Sequence, residues 1–283
     1  MPEFDLPALC QSLQDLGRLL CTWRDEPEAR QVHDARQFKT EVDRRAHTHL
    51  VDTLFRLSPD TPVISEEDDP AALAQATHQR PARYWMIDPL DGTASWYGGF
   101  AGFVTQVALI VDDQPVLGAL HAPVPNKTWV ARRGHGAWLN GARLLPRRVQ
   151  RSPVFVDNTS TPHGITQRLM DALQTTGYVE SGSLGLKAAL VADGSADVFI
   201  KDVVVRDWDL APVAVLLAET GGVLLDLAGR PYRFCGALEK SGGFIAAAAA
   251  SLGETVLRAN GSWRGTPDPP DIRLANPCLT PMP

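Results

Sequence analysis

Apolar residues recur at Leu6, Leu9, Leu13, Leu16 and Leu20. Steps of three and four place them on one helix face, so the chain is predicted to open with an amphipathic helix. A second helix is predicted from near Thr40, with Ala46, Leu50 and Leu54 on its apolar face. Val63-Ile64 and Tyr84 to Ile87 are short apolar runs that read as strands. The first ends in the acidic run SEEDD and the second in DPLDGT. Val104 to Val111 and Val116 to His121, with Asp112-Asp113 between them, read as two strands of an antiparallel sheet. From Arg147 to Pro153 the chain turns basic and irregular, as at a domain boundary. Beyond it, strands are predicted at 154–156, 197–200 and 223–225, and helices at 165–173, 184–192 and 210–219. Such alternation predicts an α/β layer. The run Ala246 to Ala250 follows Phe244-Ile245 and reads as the end of a buried strand. From Gly261 onward there are six prolines and little periodicity, the mark of a loosely held tail.

A chain of 283 residues makes one large or two closely packed domains. The pattern divides it into an α+β half (1–148), an α/β half (149–260) and the Pro-rich tail (261–283). With 44% hydrophobic and 21% charged residues it can bury a sizeable core. A net charge of −6 speaks against nucleic acid as partner. A small anionic substrate is still compatible, because divalent cations reverse a local field. Cys10, Cys21, Cys235 and Cys278 form no CxxC pair and read as incidental thiols in a reducing compartment. The first residues carry acids and no basic start before an apolar run, unlike a signal peptide. No apolar stretch reaches the ~20 residues of a membrane helix. The expectation is a soluble cytoplasmic protein with no membrane partner.

Candidate chemistry lies in three segments. In WMIDPLDGTASW, residues 85 to 96, an apolar strand delivers Asp88 to a sheet edge, and Asp91 follows three residues later. Pro89 restricts the backbone between them, and a bend there aims both carboxylates at one point. Two such carboxylates repel unless a positive charge sits between them, and hard cations such as Mg²⁺ take oxygen ligands. The Leu90 carbonyl lies in the bend as a further oxygen. Gly92 permits close backbone approach, and Gly92-Thr93 reads as a helix start whose N–H groups suit a phosphate. The competing reading is a plain hairpin turn, since Asp-Gly is a turn signal. SEEDD, residues 65 to 69, reads either as a functional strand end or as a solvated loop. In VRDWDLAPVAVLLAETGG, residues 205 to 222, Asp209 precedes an apolar helix and reads either as a ligand or as its N-cap.

In chain order the segments give Glu-Glu, Asp-Pro-Leu-Asp-Gly-Thr and Trp-Asp. Over residues 5 to 250 or so the chain resembles the inositol monophosphatase family, metal-dependent and often lithium-sensitive phosphatases. The resemblance implies an α/β fold layered as an α-β-α-β-α sandwich. It implies two or three Mg²⁺ ions per active site, held by Glu66, Asp88, the Leu90 carbonyl, Asp91 and Asp209. It implies Asp43 and Thr93 as catalytic residues beside the attacking water, with the Gly92 and Thr93 N–H groups turned to the phosphate. Such ions neutralise the phosphate, lower the pKa of a bound water and stabilise the leaving oxygen.

The chain also departs from the family. Thr40-Glu41-Val42-Asp43 matches, but the preceding loop reads QVHDARQFK where the family usually has a Lys and a Gly-Ser type turn, which touches the surroundings of an additional metal site. Pro212 stands where a small residue is usual and is expected in a first helical turn, where proline is tolerated. Trp96 stands where the family often has Phe.

For the substrate the cues conflict. GSLGLKAALVADGSADVFI, residues 182 to 200, resembles the bisphosphate nucleotidase branch, mainly through Lys187. Lys201 stands where nucleotidase-type members carry a cation, and Asp202 where inositol-type members carry an acid that binds a hydroxyl. With Ser183 these complete the candidate substrate-binding set. A small phosphate monoester such as an inositol monophosphate is the first reading. 3′-Phosphoadenosine 5′-phosphate is close behind, followed by histidinol phosphate or a sugar bisphosphate. A non-catalytic regulator and a calcium-binding structural module are the readings from other classes. The expected partner is a small phosphorylated metabolite, and family analogy suggests a homodimer.

Overall fold

The computed structural model describes residues 5–34, 39–146 and 152–261. Helix α1 (Leu6–Trp23) begins at Asp5, whose carboxylate accepts the Ala8 N–H at 2.9 Å. Strand β1 (Val32–Asp34) pairs antiparallel with β2 (Lys39–Thr40), which leads into α2 (Glu41–Leu57). Next come β3 (Val63–Ser65), α3 (Pro70–His78), β4 (Arg83–Asp91) and the short α4 (Thr93–Tyr97). An antiparallel run follows: β5 (Val104–Val111), β6 (Gln114–Ala122), β7 (Lys127–Arg132), β8 (Gly136–Leu139) and β9 (Ala142–Leu144). The rest comprises β10 (Phe155–Asp157), α5 (Gly164–Ala172), β11 (Tyr178–Glu180), α6 (Leu184–Asp193), β12 (Val198–Lys201) and β13 (Val205–Arg206). It ends with α7 (Asp207–Glu219), β14 (Val223–Leu225), β15 (Glu239–Lys240), β16 (Phe244–Ala247) and α8 (Ala250–Ala259).

Strands β3 to β9 form a seven-stranded sheet in chain order, with β3 and β4 parallel and every other pair antiparallel. A second sheet has the order β11-β10-β12-β16-β14. Strand alternation assigns the faces. In β4, Trp85 and Ile87 turn toward α1 and α2, meeting Leu13, Leu16, Ala46 and Leu50. Tyr84 and Met86 turn the other way, into a core shared with α6, α7 and Phe199, Phe244 and Ala246 of the second sheet. Val198, Ile200 and Ile245 point out of that sheet to Ile165 and Leu169 of α5 and Val256 of α8. The layers are therefore helix pair, sheet, helix pair, sheet, helix pair. This is the α-β-α-β-α sandwich that the resemblance implies. Each fully buried leucine in these layers contributes about 1.5–3 kcal/mol.

One close contact sets how α7 lies on the larger sheet. A Cβ at Gly118 of β6 would meet the Pro212 carbonyl oxygen at 2.1 Å, so glycine alone lets α7 sit this low.

Several expectations are corrected. Helix α7 starts three residues before Leu210, so Pro212 lies inside the helix rather than in its first turn. The alanine run is not one strand, since β16 stops at Ala247 and Ala250 begins α8. Cys10 and Cys21 are free thiols, but Cys235 is disulfide-bonded. Residues 147–151 of the expected boundary, and the tail from 262 onward with Cys278, lie outside the described residues. Among the described residues, no helix is long and apolar enough to cross a membrane.

Candidate active site

The site forms where β3 and β4 end. Parallel pairing sets Ser65 level with Ile87, so the next residues, Glu66 and Asp88, emerge side by side. The Glu66 N–H donates to the Ile87 carbonyl at 3.2 Å. β4 then slips against β5, with Asp88 opposite Gln106 but Asp91 opposite Val104. Residues three apart in a regular strand point to opposite faces; the extra residue of this bulge turns Asp91 to the side of Asp88. Proline is tolerated at such a position, and Pro89 occupies it. Asp209 arrives from the middle layer as the third residue of α7, where one carboxylate oxygen accepts the Arg206 N–H at 2.9 Å. It is thus a capping residue and also a member of the cluster. One oxygen each from buried Asp88, Asp91 and Asp209 lies within 4.8 Å of the others.

Burial pushes the carboxyls of Asp88 and Asp209 well above the usual range, and the neighbouring carboxylates push them further. Glu66 is pushed up to about 7, by burial and then by Glu67. The side chains of Glu66 and Asp88 adjoin closely enough to raise the Asp88 carboxyl. Four acids this close, each with its carboxyl raised, form the donor set that a hard divalent cation relieves. These residues fit such an ion.

That chemistry has a consequence for stability. Between about pH 4 and pH 7 the folded, metal-free protein holds protons on these acids that the unfolded chain has released. Raising the pH strips those protons and removes stability. The Tm of the metal-free protein is expected to fall from about pH 5 to about pH 8, and Mg²⁺ to raise Tm more at the higher pH. Thermal melts with and without Mg²⁺ check this, and an equal Mg²⁺ effect at both values would contradict it.

Asp91 is held from two further elements. Its Oδ2 accepts the Gly185 N–H of α6 at 2.7 Å and the Gln106 side-chain amide at 3.2 Å. Ser183, the N-cap of α6, also hydrogen-bonds Asp91 and accepts the Leu186 N–H at 3.2 Å. Asp43, third in α2, is buried. Its Oδ2 accepts the Thr40 N–H at 2.7 Å and the Thr40 hydroxyl at 2.9 Å. Its Oδ1 accepts the Thr93 hydroxyl at 2.9 Å, and that hydroxyl lies 3.3 Å from the Leu90 carbonyl. Gly92 opens α4 with a φ of 97°, and a Cβ there would meet the Gly102 carbonyl oxygen at 2.9 Å. Both facts demand glycine.

The remaining candidates separate. Lys187 of α6 is buried, with its ammonium 4.9 Å from the Phe199 ring centroid. Burial lowers its pKa to about 8, while Asp157 and then Asp91 draw it back up. Lys201 is engaged with Asp157 at 2.5 Å and donates to the Asn158 side chain at 3.1 Å. Asp202 is exposed after β12, and the structure does not join it to the cluster. Three contributors had escaped the sequence reading: Gln106, Gly185 and Lys39. Lys39 donates to the Glu66 carbonyl at 2.7 Å and pairs with Glu67 at 3.2 Å. Gln106 left a trace, as a polar residue inside the apolar run VTQVALIV.

Residues 6–261 match the model of the inositol monophosphatase family. The chain is 34% identical to the 3′(2′),5′-bisphosphate nucleotidase CysQ of Aggregatibacter actinomycetemcomitans, over 69% of this chain and 74% of that protein. It is 36% identical to CysQ of Escherichia coli (strain K12), over 69% and 78%. A fructose-1,6-bisphosphatase/inositol-1-monophosphatase of Thermotoga maritima is 28% identical over 77% of this chain and 83% of its own length. Among solved structures, a Thermotoga maritima IMPase superposes with a TM-score of 0.74 at 27% identity, covering 91% of this chain and 97% of that one.

Proposed function

The chain belongs to the inositol monophosphatase family and is a metal-dependent phosphatase of small phosphate esters; from that premise we propose that its metal is Mg²⁺ and its substrate a 3′(2′),5′-bisphosphorylated nucleoside. The observation that carries the substrate reading is Lys187. A buried ammonium is costly unless it meets an anion. The Lys187 ammonium lies over the Phe199 ring, with Asp157 and Asp91 within electrostatic reach, but among the described residues it forms an ion pair with neither. A second phosphate on the substrate would supply the missing anion. The nucleotidase name of the relatives at 34% and 36% identity supports the same reading. Lys201 contributes less, because Asp157 already neutralises it. An inositol monophosphate is the second reading, favoured by the name of the 28% identical relative.

In this reading Glu66, Asp88, the Leu90 carbonyl, Asp91 and Asp209 hold the ions. When bound, the ions supply positive charge to the phosphate and its leaving oxygen and make water in the site more acidic. Asp43 fixes the proton of the Thr93 hydroxyl, so the Thr93 oxygen presents its free lone pair to the attacking water. Burial raises the Asp43 carboxyl, which makes it a better proton acceptor than an exposed aspartate. Water oxygen bonds to phosphorus, the ester P–O bond breaks, and inorganic phosphate and an alcohol result. The Gly92 and Thr93 N–H groups face the phosphate by family resemblance. A small phosphorylated metabolite is the partner, and the cytoplasm is the location.

Lys187→Ala is expected to lower kcat/KM for 3′-phosphoadenosine 5′-phosphate roughly ten- to a hundredfold, the worth of a charge-assisted contact of about 1.5–3 kcal/mol. Activity on an inositol monophosphate should fall far less. Equal losses on both would remove the nucleotide reading and leave the phosphatase assignment standing.

A further inference from the structure

We propose that Lys39 is a built-in cation of the active site, filling the Glu66–Glu67 flank of the carboxylate cluster and limiting the site to two divalent ions. The proposal rests on the Mg²⁺ reading above. Asp88, Asp91 and Asp209 converge, and Glu66 adjoins Asp88, giving four carboxylates that two divalent ions neutralise. Glu67 is a fifth acid on the same flank, and the Lys39 ammonium lies 3.2 Å from it.

The same ammonium donates to the Glu66 backbone carbonyl at 2.7 Å. A further hard cation on this flank would compete with Lys39 for those two oxygens. It would also meet a like charge at close range. The lysine is anchored at both ends. Its backbone is in β2, paired with β1, and the next residue, Thr40, caps α2 through two bonds to Asp43. A lysine ammonium is a compact point charge and so a fair stand-in for a metal ion.

Counting bound ions tests this without reference to turnover. The full chain is titrated with Mn²⁺, and bound ion is counted by electron paramagnetic resonance. Wild type is expected to saturate at two ions and Lys39→Arg also at two, while Lys39→Met takes up a third. Lys39→Gln is a second uncharged variant with the same expected count, and thermal melts establish that the variants are folded. Three ions in wild type would overturn the proposal, as would two in a folded uncharged variant. No ion at all in wild type would overturn the metal reading itself, and the proposal with it.

Discussion

Asp91→Asn is expected to cut Mg²⁺-dependent phosphate release by about a thousandfold or more while leaving the protein folded, because each lost power of ten needs only about 1.4 kcal/mol of transition-state charge stabilisation. The size follows from how Asp91 is held. Its Oδ2 accepts from the Gly185 N–H and the Gln106 amide. An asparagine in the same place must turn its single oxygen to those two donors. Its NH₂ group is then left facing Asp88 and Asp209, where a cation should sit. The same exchange removes one of the mutually repelling acids, so the metal-free variant should melt no lower than wild type, and the Tm gain from Mg²⁺ should shrink. Turnover at saturating Mg²⁺ and melts with and without the ion measure both effects. Near-wild-type turnover in a pure, folded preparation would remove Asp91 from the metal site.

Thr93→Ala is expected to lower kcat about a hundredfold or more, with a smaller effect on KM. The hydroxyl it removes joins two elements, α2 through Asp43 and the β4 bulge through Leu90. With its proton given to Asp43, the oxygen has one role left toward substrate, to orient water. Orientation of a nucleophile matters in the transition state more than in the bound ground state, which is why the loss belongs in kcat. Steady-state kinetics over a range of substrate concentrations separate the two parameters. A rise in KM with kcat unchanged would make Thr93 a substrate-binding residue.

What the sequence made legible depended on how local the signal was. Helices α1 and α2 carry a clean apolar period, and β4, β5 and β6 are long apolar runs, so their packing against one another could be anticipated. The convergence of Asp88 and Asp91 was readable from Pro89, but the device that achieves it is a register shift against β5, which exists only once the partner strand is in place. Asp209 offered two readings, ligand or cap, and the geometry joins them: one oxygen caps α7, and the carboxylate also belongs to the cluster. Helix α3 buries none of its residues and so had no apolar stripe to detect. Strands β7 to β9 are short and partly exposed, with a weak alternation. Gln106, Gly185 and Lys39 reach the site through contacts distant in sequence, which no local pattern encodes.

The central claim is that this chain hydrolyses a small phosphate ester only with a divalent metal in the carboxylate cluster. The most direct measurement is phosphate release by the purified wild-type protein from a panel including 3′-phosphoadenosine 5′-phosphate and an inositol monophosphate, first with Mg²⁺, then with a chelator, then with Mg²⁺ restored. The account predicts release that stops on chelation and returns with the ion, fastest on the bisphosphorylated nucleoside. Release that continues undiminished under the chelator, or no release from any ester with Mg²⁺ present, would contradict it.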